Sequence, residues 1–296
     1  MAKSPGAEPI PALDTKSRAA LERFVSRYRV TRGKGFRLRD FDPRDTAGLK
    51  SEYKPAARES LRRGVAWLAQ EQEKLYAQDR WAVLLVFQAM DAAGKDGTIR
   101  HVMSGVNPQG CLVTSFKQPS AEELDHDYLW RYSRHLPGRG QIGIFNRSYY
   151  EEVLVVRTHP ALLGAQKLPA QLAGKRIWKE RFEDIAAHER YLARNGVLVL
   201  KFFLHLSRGE QRRRFLERLD TPEKHWKFSA ADIREREHWD RYQEAYEDAI
   251  RHTAAEHAPW LVVPADNKWF TRLVVMSAIV GAIHDLRLEY PRLDDR

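Results

Sequence analysis

The sequence predicts an α/β protein: a central parallel sheet of about five strands, helices on both faces, and a charged helical stretch late in the chain. Three observations carry this. Short apolar or β-branched runs recur between longer stretches of helical periodicity, the order that builds a parallel sheet. One run, Val83 to Phe87, is apolar without interruption, as a strand covered on both faces must be. It opens through Ala92-Ala93-Gly94 into Lys95 and helix-compatible sequence, and open sheets of this kind bind ligands beyond the carboxyl ends of their strands.

Taken in order, Met1 to Lys16 is rich in Pro, Gly and Ala and reads as loose chain. Ser17 to Val30 reads as a short helix, and Phe36 to Thr46, with alternating charge and Pro43, as an extended arm. Leu61, Val65, Leu68 and Leu75 fall near helical spacing, so Lys50 to Asp79 is a helix leading into the central strand. Residues 1–79 are thus an N-terminal arm and lead-in helix, and 80–296 the main domain. After the loop a helix runs from Thr98 to Val106, where Asn107-Pro108 ends it. Cys111 to Phe116 alternates and forms a second strand. Ser120 with Glu123 is a capping-box pattern, opening a helix through Trp130 to about His135, before Pro137-Gly138. Gln141 to Phe145 is the third strand. Lys175 to Asn195 is a helix stopped by Gly196, and Val197 to Leu206 is the fourth strand. Glu210 to Ala255 is a long charged helical region, Trp260 to Pro264 a last short strand, and Thr271 to about Arg287 a final helix.

Composition bounds the function. The 296 residues are 43% hydrophobic and 30% charged, enough for one large domain or two small ones. Lys and Arg number 50 against 40 Asp and Glu, a formal charge of +10 that suits nucleic acid, an acidic membrane or another polyanion, with plain solubility as the alternative. The single cysteine, Cys111, excludes an intrachain disulfide and a cysteine zinc cluster and fits a reducing compartment. With no apolar leader and no run of spanning length, the expectation is a cytoplasmic protein off the membrane.

The loop is a variant of the phosphate-binding G-x-x-x-x-G-K-[ST]: Ala89 stands at the first glycine and Asp96 where Ser or Thr would meet a metal. Amides at a helix N-terminus and the Lys95 ammonium suit an anion. A carboxylate at Asp91 then wants a cation beside it. The alternative is an ordinary strand-to-helix turn with Asp91 as N-cap. Three strand ends carry candidate chemistry: Asp91 to Lys95, Asn146 to Glu151, and Ser207-Arg208. Asn146-Arg147 occupies the place of a Walker B carboxylate, with Arg147 able to clamp a phosphate in two-pronged fashion, or it is simply a polar turn. Arg208, Arg212 and Arg218 can share one helix face that tracks a polyanion or closes over it, or that face is solvated. Glu180, Asp184 and His188 at helical spacing read as a surface stripe rather than a metal site, and Trp226, Trp239 and Tyr242 as packing rather than base stacking.

Three blocks, AMDAAGKDGTIRHVMSGVNPQG, SFKQPSAEELDHDYLWR and IGIFNRSYYEEVLVVRTHP, resemble the type 2 polyphosphate kinases, and the Asn-Arg-Ser-Tyr-Tyr-Glu form resembles their class III branch. The similarity runs from about Phe36 to the C-terminus, taking in HWKFS at His225 and PADNKWFTR at Pro264. It implies a P-loop kinase fold with a helical lid at about residues 207–257. It also implies phosphoryl transfer between inorganic polyphosphate and AMP, ADP or ATP with Mg²⁺ (Mn²⁺ as the second choice), and a homo-oligomer, dimer or tetramer. Asp91 then holds the metal and faces the acceptor phosphate. Ala93, Gly94, Lys95, Asp96, Gly97, Thr98, Asn146, Arg147 and Glu151 form the phosphate and nucleotide site. Lys95 and Arg208, joined by Arg212, face polyphosphate, and Asp91, Lys95, Arg147 and Arg208 form the catalytic set. Where many members have glycine this chain has Ala89, which bears on the tightness of the loop. The competing readings are an ATP-dependent nucleotide kinase, which the missing Ser or Thr after Lys95 disfavours; a non-catalytic nucleic-acid binder, for which no recognition helix is visible; and a regulatory protein on a degenerate loop. No nucleic acid is therefore expected as partner.

Overall fold

A six-stranded sheet is the centre of the computed structural model, which describes residues 14–227 and 230–292. The segment read as loose, Met1 to Lys16, lies almost wholly outside these residues, as do Phe228 and Ser229 of the charged stretch. The strands are β1 (Arg29–Val30), β2 (Ala82–Ala89), β3 (Cys111–Ser115), β4 (Ile142–Asn146), β5 (Val197–His205) and β6 (Trp260–Pro264), in the order β1-β6-β5-β2-β4-β3. Strands β2 to β6 are parallel and are the five the sequence predicts.

The sixth strand, β1, is antiparallel to β6 and lies in the stretch read as the end of a helix. That helix, α1 (Thr15–Val25), is capped by the Asp14 carboxylate on the Ser17 amide and stops at Ser26. The Tyr28 amide turns back to the Val25 carbonyl, and Arg29 and Val30 pair with Leu261 and Trp260. Two residues are too few to show an alternating pattern, so periodicity does not reveal this strand.

The other main helices are α2 (Lys54–Gln78), α3 (Lys95–Val102), α4 (Ile177–Arg194), α5 (Arg208–Leu219), α6 (Ala230–Glu235), α7 (Trp239–Thr253) and α8 (Lys268–His284). Two expected helices are divided. The stretch from Ser120 to His135 forms two short turns, Ala121–Leu124 and Trp130–Ser133, because the Asp127 carboxylate takes the Leu129 amide in a local turn. The Ser120–Glu123 capping box is present in both directions. The charged stretch divides at Pro222, which cannot continue a helix, into α5, a 3₁₀ turn (Pro222–Lys227), α6 and α7.

Alternation along the strands sends side chains to two cores. Val83, Leu85 and Phe87 pack with Trp67, Leu68 and Leu75 of α2, Ile99 of α3 and Val274 of α8. Leu84 and Val86 pack with Phe182 and Ile185 of α4 and Tyr246 and Ile250 of α7. All of Val83 to Phe87 is buried, and each such side chain contributes about 1.5–3 kcal/mol of transfer free energy. Val25 and Trp67 lie in the first core and Val30 in the second, so α1, α2 and β1 pack with the rest of the chain. Trp239 and Tyr242 are buried in the second, as the packing reading has them, while Trp226 is exposed.

Register sets the site. Phe87 of β2 lies level with Asn146 of β4 and Phe202 of β5, and Asn146 with Ser115 of β3. The carboxyl ends of the parallel strands therefore form one edge. No helix among the described residues is long and apolar enough to cross a membrane.

Candidate active site

The loop after β2 begins without strain. Ala89 is still in the ladder, opposite Leu204, so an alanine at the first glycine position needs no glycine torsion. The turn is made later, by Ala92 at φ +63° and Gly94 at φ +92°. A left-handed alanine costs about 1–2 kcal/mol and must be held by its surroundings. Gly94 is the N-cap of α3, which begins at Lys95. The alternative role for Asp91, capping the helix, is thereby excluded. The half-exposed Asp91 carboxylate lies 3.7 Å from the Arg147 guanidinium instead. Lys95, Asp96, Gly97 and Thr98, the first turn of α3, line a cavity of about 690 Å³ at the strand ends. Amides in a first helical turn lack intrahelical acceptors and present positive charge.

The turn after β4 forms the facing wall. Asn146 Nδ2 donates to Asp96 Oδ1 at 2.9 Å and to Ser115 Oγ at 3.1 Å, tying the ends of β3 and β4 to the first turn of α3. Arg147 is left-handed (φ +68°), and its amide donates to the Phe87 carbonyl. Its guanidinium reaches Glu151 at 3.4 Å, and Glu151 is itself held by Gln88 Nε2 at 2.9 Å. Glu151 first, and Asp91 with it, hold Arg147 above its ordinary range against desolvation. Beneath this turn lies a closed polar network. Tyr149 and Tyr150 donate to Glu189 Oε1, and the fully buried Lys201 donates to Glu189 Oε2 at 2.6 Å and to the Thr253 carbonyl at 2.8 Å. Two adjacent tyrosines anchored on one buried ion pair fix the backbone that carries Arg147.

The cavity is crowded with cations. Burial pushes Lys95 down to about 8, with Glu151 opposing it. Lys268 and Arg272 are lowered by burial and then by neighbouring arginines, Arg214 for Lys268 and Arg100 for Arg272. A polyanion would relieve this crowding. On the α6 side, Asp232 pairs with Arg218 at 3.5 Å and is raised first by burial and next by Asp91.

Ala93, Gly94, Lys95, Asp96, Gly97, Thr98, Asn146, Arg147 and Asp91 all line the cavity, with Glu151 behind Arg147. Arg208 and Arg212 do not line it. Both are exposed, and they crowd Arg236 on the outer flank of α5. The expected shared face puts only Arg218 in the cavity wall. Sequence reasoning missed Ser115 and Lys117 after β3, Lys268 and Arg272 after β6, and Arg100 on α3. The strand-end rule, applied to β3 and β6 as it was to the other three strands, points to the first four. Glu180 pairs with Arg176, His188 packs its ring on Tyr149, and no group of three or more metal-binding side chains occurs among the described residues.

A parallel sheet with a phosphate loop after its central strand, an arginine turn after the neighbouring strand and a cationic cavity between them defines a P-loop kinase-like phosphotransferase. The family model for polyphosphate kinase 2 matches residues 50–291. A protein of Rhodopseudomonas palustris named ADP-polyphosphate phosphotransferase is 55% identical over 81% of this chain and 83% of its own. An AMP/ADP-polyphosphate phosphotransferase of Meiothermus ruber is 47% identical over 90% of this chain and 96% of its own. The crystal structure of polyphosphate kinase 2 from Arthrobacter aurescens TC1 superposes with a TM-score of 0.81 at 38% identity, covering 90% of this chain and 92% of that one. The chain belongs to the polyphosphate kinase 2 family.

Proposed function

We propose that this protein transfers phosphoryl groups between inorganic polyphosphate and adenine nucleotides, converting AMP to ADP and ADP to ATP. The observation that carries the reading is the cavity itself, whose wall joins the phosphate loop and Arg147 with the further cations Lys268 and Arg272. A nucleotide kinase needs a donor terminus there; a linear polyanion also uses the further cations.

In the forward direction an acceptor phosphate oxygen attacks the terminal phosphorus of polyphosphate. One P–O bond forms, the bridging P–O bond breaks, and a polyphosphate shorter by one unit leaves. Such transfer depends on in-line placement and on neutralising the equatorial oxygens. The loop amides and Lys95 hold the transferring group, and Arg147, positioned by Glu151 and the Phe87 carbonyl, covers its other side. Arg208 and Arg212, on the outer flank, are assigned capture of the chain.

The donor set fits a divalent ion. Asp91 is an accessible carboxylate, Asp232 lies near enough to feel its charge, and an ion held by one or two carboxylates plus substrate phosphates and water needs no larger protein cage. Mg²⁺ is the choice this favours, with Mn²⁺ second; bound there, it would draw charge from the transferring oxygens. The reading further takes the protein as a homo-oligomer, a dimer or tetramer, measured by light scattering.

The test is incubation with AMP, long-chain polyphosphate and Mg²⁺, without ATP, followed by ion-exchange chromatography. ADP and then ATP are expected. ADP alone restricts the acceptor to AMP. No change with either AMP or ADP overturns the reading in favour of an ATP-dependent kinase.

A further inference from the structure

Three consecutive carbonyls of the phosphate loop are taken by side chains of α5. Gln211 Nε2 donates to the Asp91 carbonyl at 2.9 Å, and Arg214 Nη1 donates to the carbonyls of Ala92 at 3.0 Å and Ala93 at 2.9 Å. The two residues lie three apart on one helix face, and they are 1% and 4% exposed. Arg214 spends its other donors as fully. Nε donates to Glu210 Oε1 at 2.7 Å, and Nη2 to the carbonyls of Ala265 at 2.6 Å and Asp266 at 3.0 Å. A guanidinium has five N–H donors, and all five are committed to protein oxygens. Arg214 therefore lines the cavity but has no donor left for a phosphate.

The helix that carries this pair is itself anchored. The Ser207 amide and hydroxyl, at the N-cap of α5, donate to the Asp266 carboxylate at 2.9 and 2.7 Å. Arg236, just past α6, donates to Gln211 Oε1 at 2.8 Å, so the orientation of the Gln211 amide is set from the lid side. Across a trans peptide, the C=O and the following N–H point in opposite directions. Drawing the carbonyls of Asp91 and Ala93 toward α5 turns the amides of Ala92 and Gly94 away from it. The same bonds hold Ala92 in the left-handed conformation that an alanine resists.

We propose that Gln211 and Arg214 are positioning residues for phosphoryl transfer. They clamp the outer face of the loop so that its amides and Lys95 keep their aim, and they do so without touching the phosphate. This rests on reading the loop as the phosphate site.

The test compares wild type with Gln211→Met and Arg214→Lys, measuring melting temperature, kcat, the KM for polyphosphate and its dependence on salt. A misaimed loop lowers kcat, expected here by at least about tenfold, with KM within about threefold and an unchanged salt dependence. Melting temperatures should stay within about 5 °C of wild type, which separates loss of aim from loss of fold. A kcat within threefold of wild type in both variants overturns the proposal. So does a tenfold rise in polyphosphate KM with a shallower salt dependence in Arg214→Lys, which marks a direct phosphate ligand. If Arg214→Lys does not fold, Gln211→Met decides by the same limits. A wild type without polyphosphate-dependent transfer overturns the functional reading and this proposal with it; an active wild type with unaffected variants overturns only this proposal.

Discussion

Two sets of cations in the cavity wall are alike in kind and opposite in state. At the loop end, Arg214 is closed: each of its donors meets a protein oxygen, and it is buried. Lys201, beneath the Arg147 turn, is closed in the same sense. On α8, by contrast, Arg272 keeps a buried Nε without a partner, and Arg272 and Lys268 are both lowered by burial among other cations. A closed cation belongs to the frame, and an open one belongs to whatever anion enters. Net charge and charge runs cannot separate the two, because the difference lies in which carbonyls and carboxylates the fold brings within reach.

The largest effect should come where frame and ligand meet. Asp91→Asn and Lys95→Ala should each lower turnover by at least about 10³-fold while the unfolding transition stays put, since each removes charge aimed at the reacting group. Turnover by initial rates and stability by thermal melting check this together; a near-normal rate in either variant would remove the mechanism.

A closed cation that holds no part of the loop should instead show in stability. Lys201→Met leaves the fully buried Glu189 carboxyl without its cation, and breaking such a pair costs about 3–5 kcal/mol. Urea unfolding would read this as a lower midpoint at unchanged slope.

The open cations should show the reverse. Lys268→Ala and Arg272→Ala should raise the polyphosphate KM about tenfold and flatten its salt dependence, with stability shifted by less than about 1 kcal/mol. If either variant melted early with an unchanged KM, the open and closed cations would not differ as described. Lys95 gives the contrast a pH signature. In the free cavity it is pushed down to about 8, and a bound polyanion favours the ammonium and raises that value. Binding is therefore strongest below about pH 8, weakens as pH rises above it, and takes up protons near pH 8. Calorimetry in two buffers of different ionisation enthalpy measures the uptake; none at pH 8 would contradict the assignment.

The smallest effect is expected for Arg208→Ala. From its exposed position it should raise the polyphosphate KM by less than about threefold at low salt and not at all at high salt. A loss in kcat instead would give Arg208 the catalytic part that the family resemblance implies.

What was legible in the sequence follows the same division. The five parallel strands, the loop and the Asn146–Arg147 turn could be read because apolar runs and strand ends are local features. β1 could not, because two residues carry no period and its partner lies at Trp260 and Leu261. The strain at Ala92 and the ease at Ala89 were hidden for a related reason: the motif marks where glycine is usual, while torsion depends on where the ladder ends. Among the arginines of α5, spacing grouped Arg208 with Arg212 and Arg218. The structure singles out Arg214, whose partners Ala92 and Ala265 are far from it in the chain and so leave no trace in local pattern.

The most direct measurement is a single turnover with radiolabelled polyphosphate and unlabelled AMP, in the wild type and in Lys95→Ala side by side. Label should pass directly into the terminal phosphate of ADP in the wild type, and at no more than about a thousandth of that rate in the variant. Label that never enters the nucleotide, or that enters equally fast without Lys95, would contradict the assignment of the loop as the site of transfer.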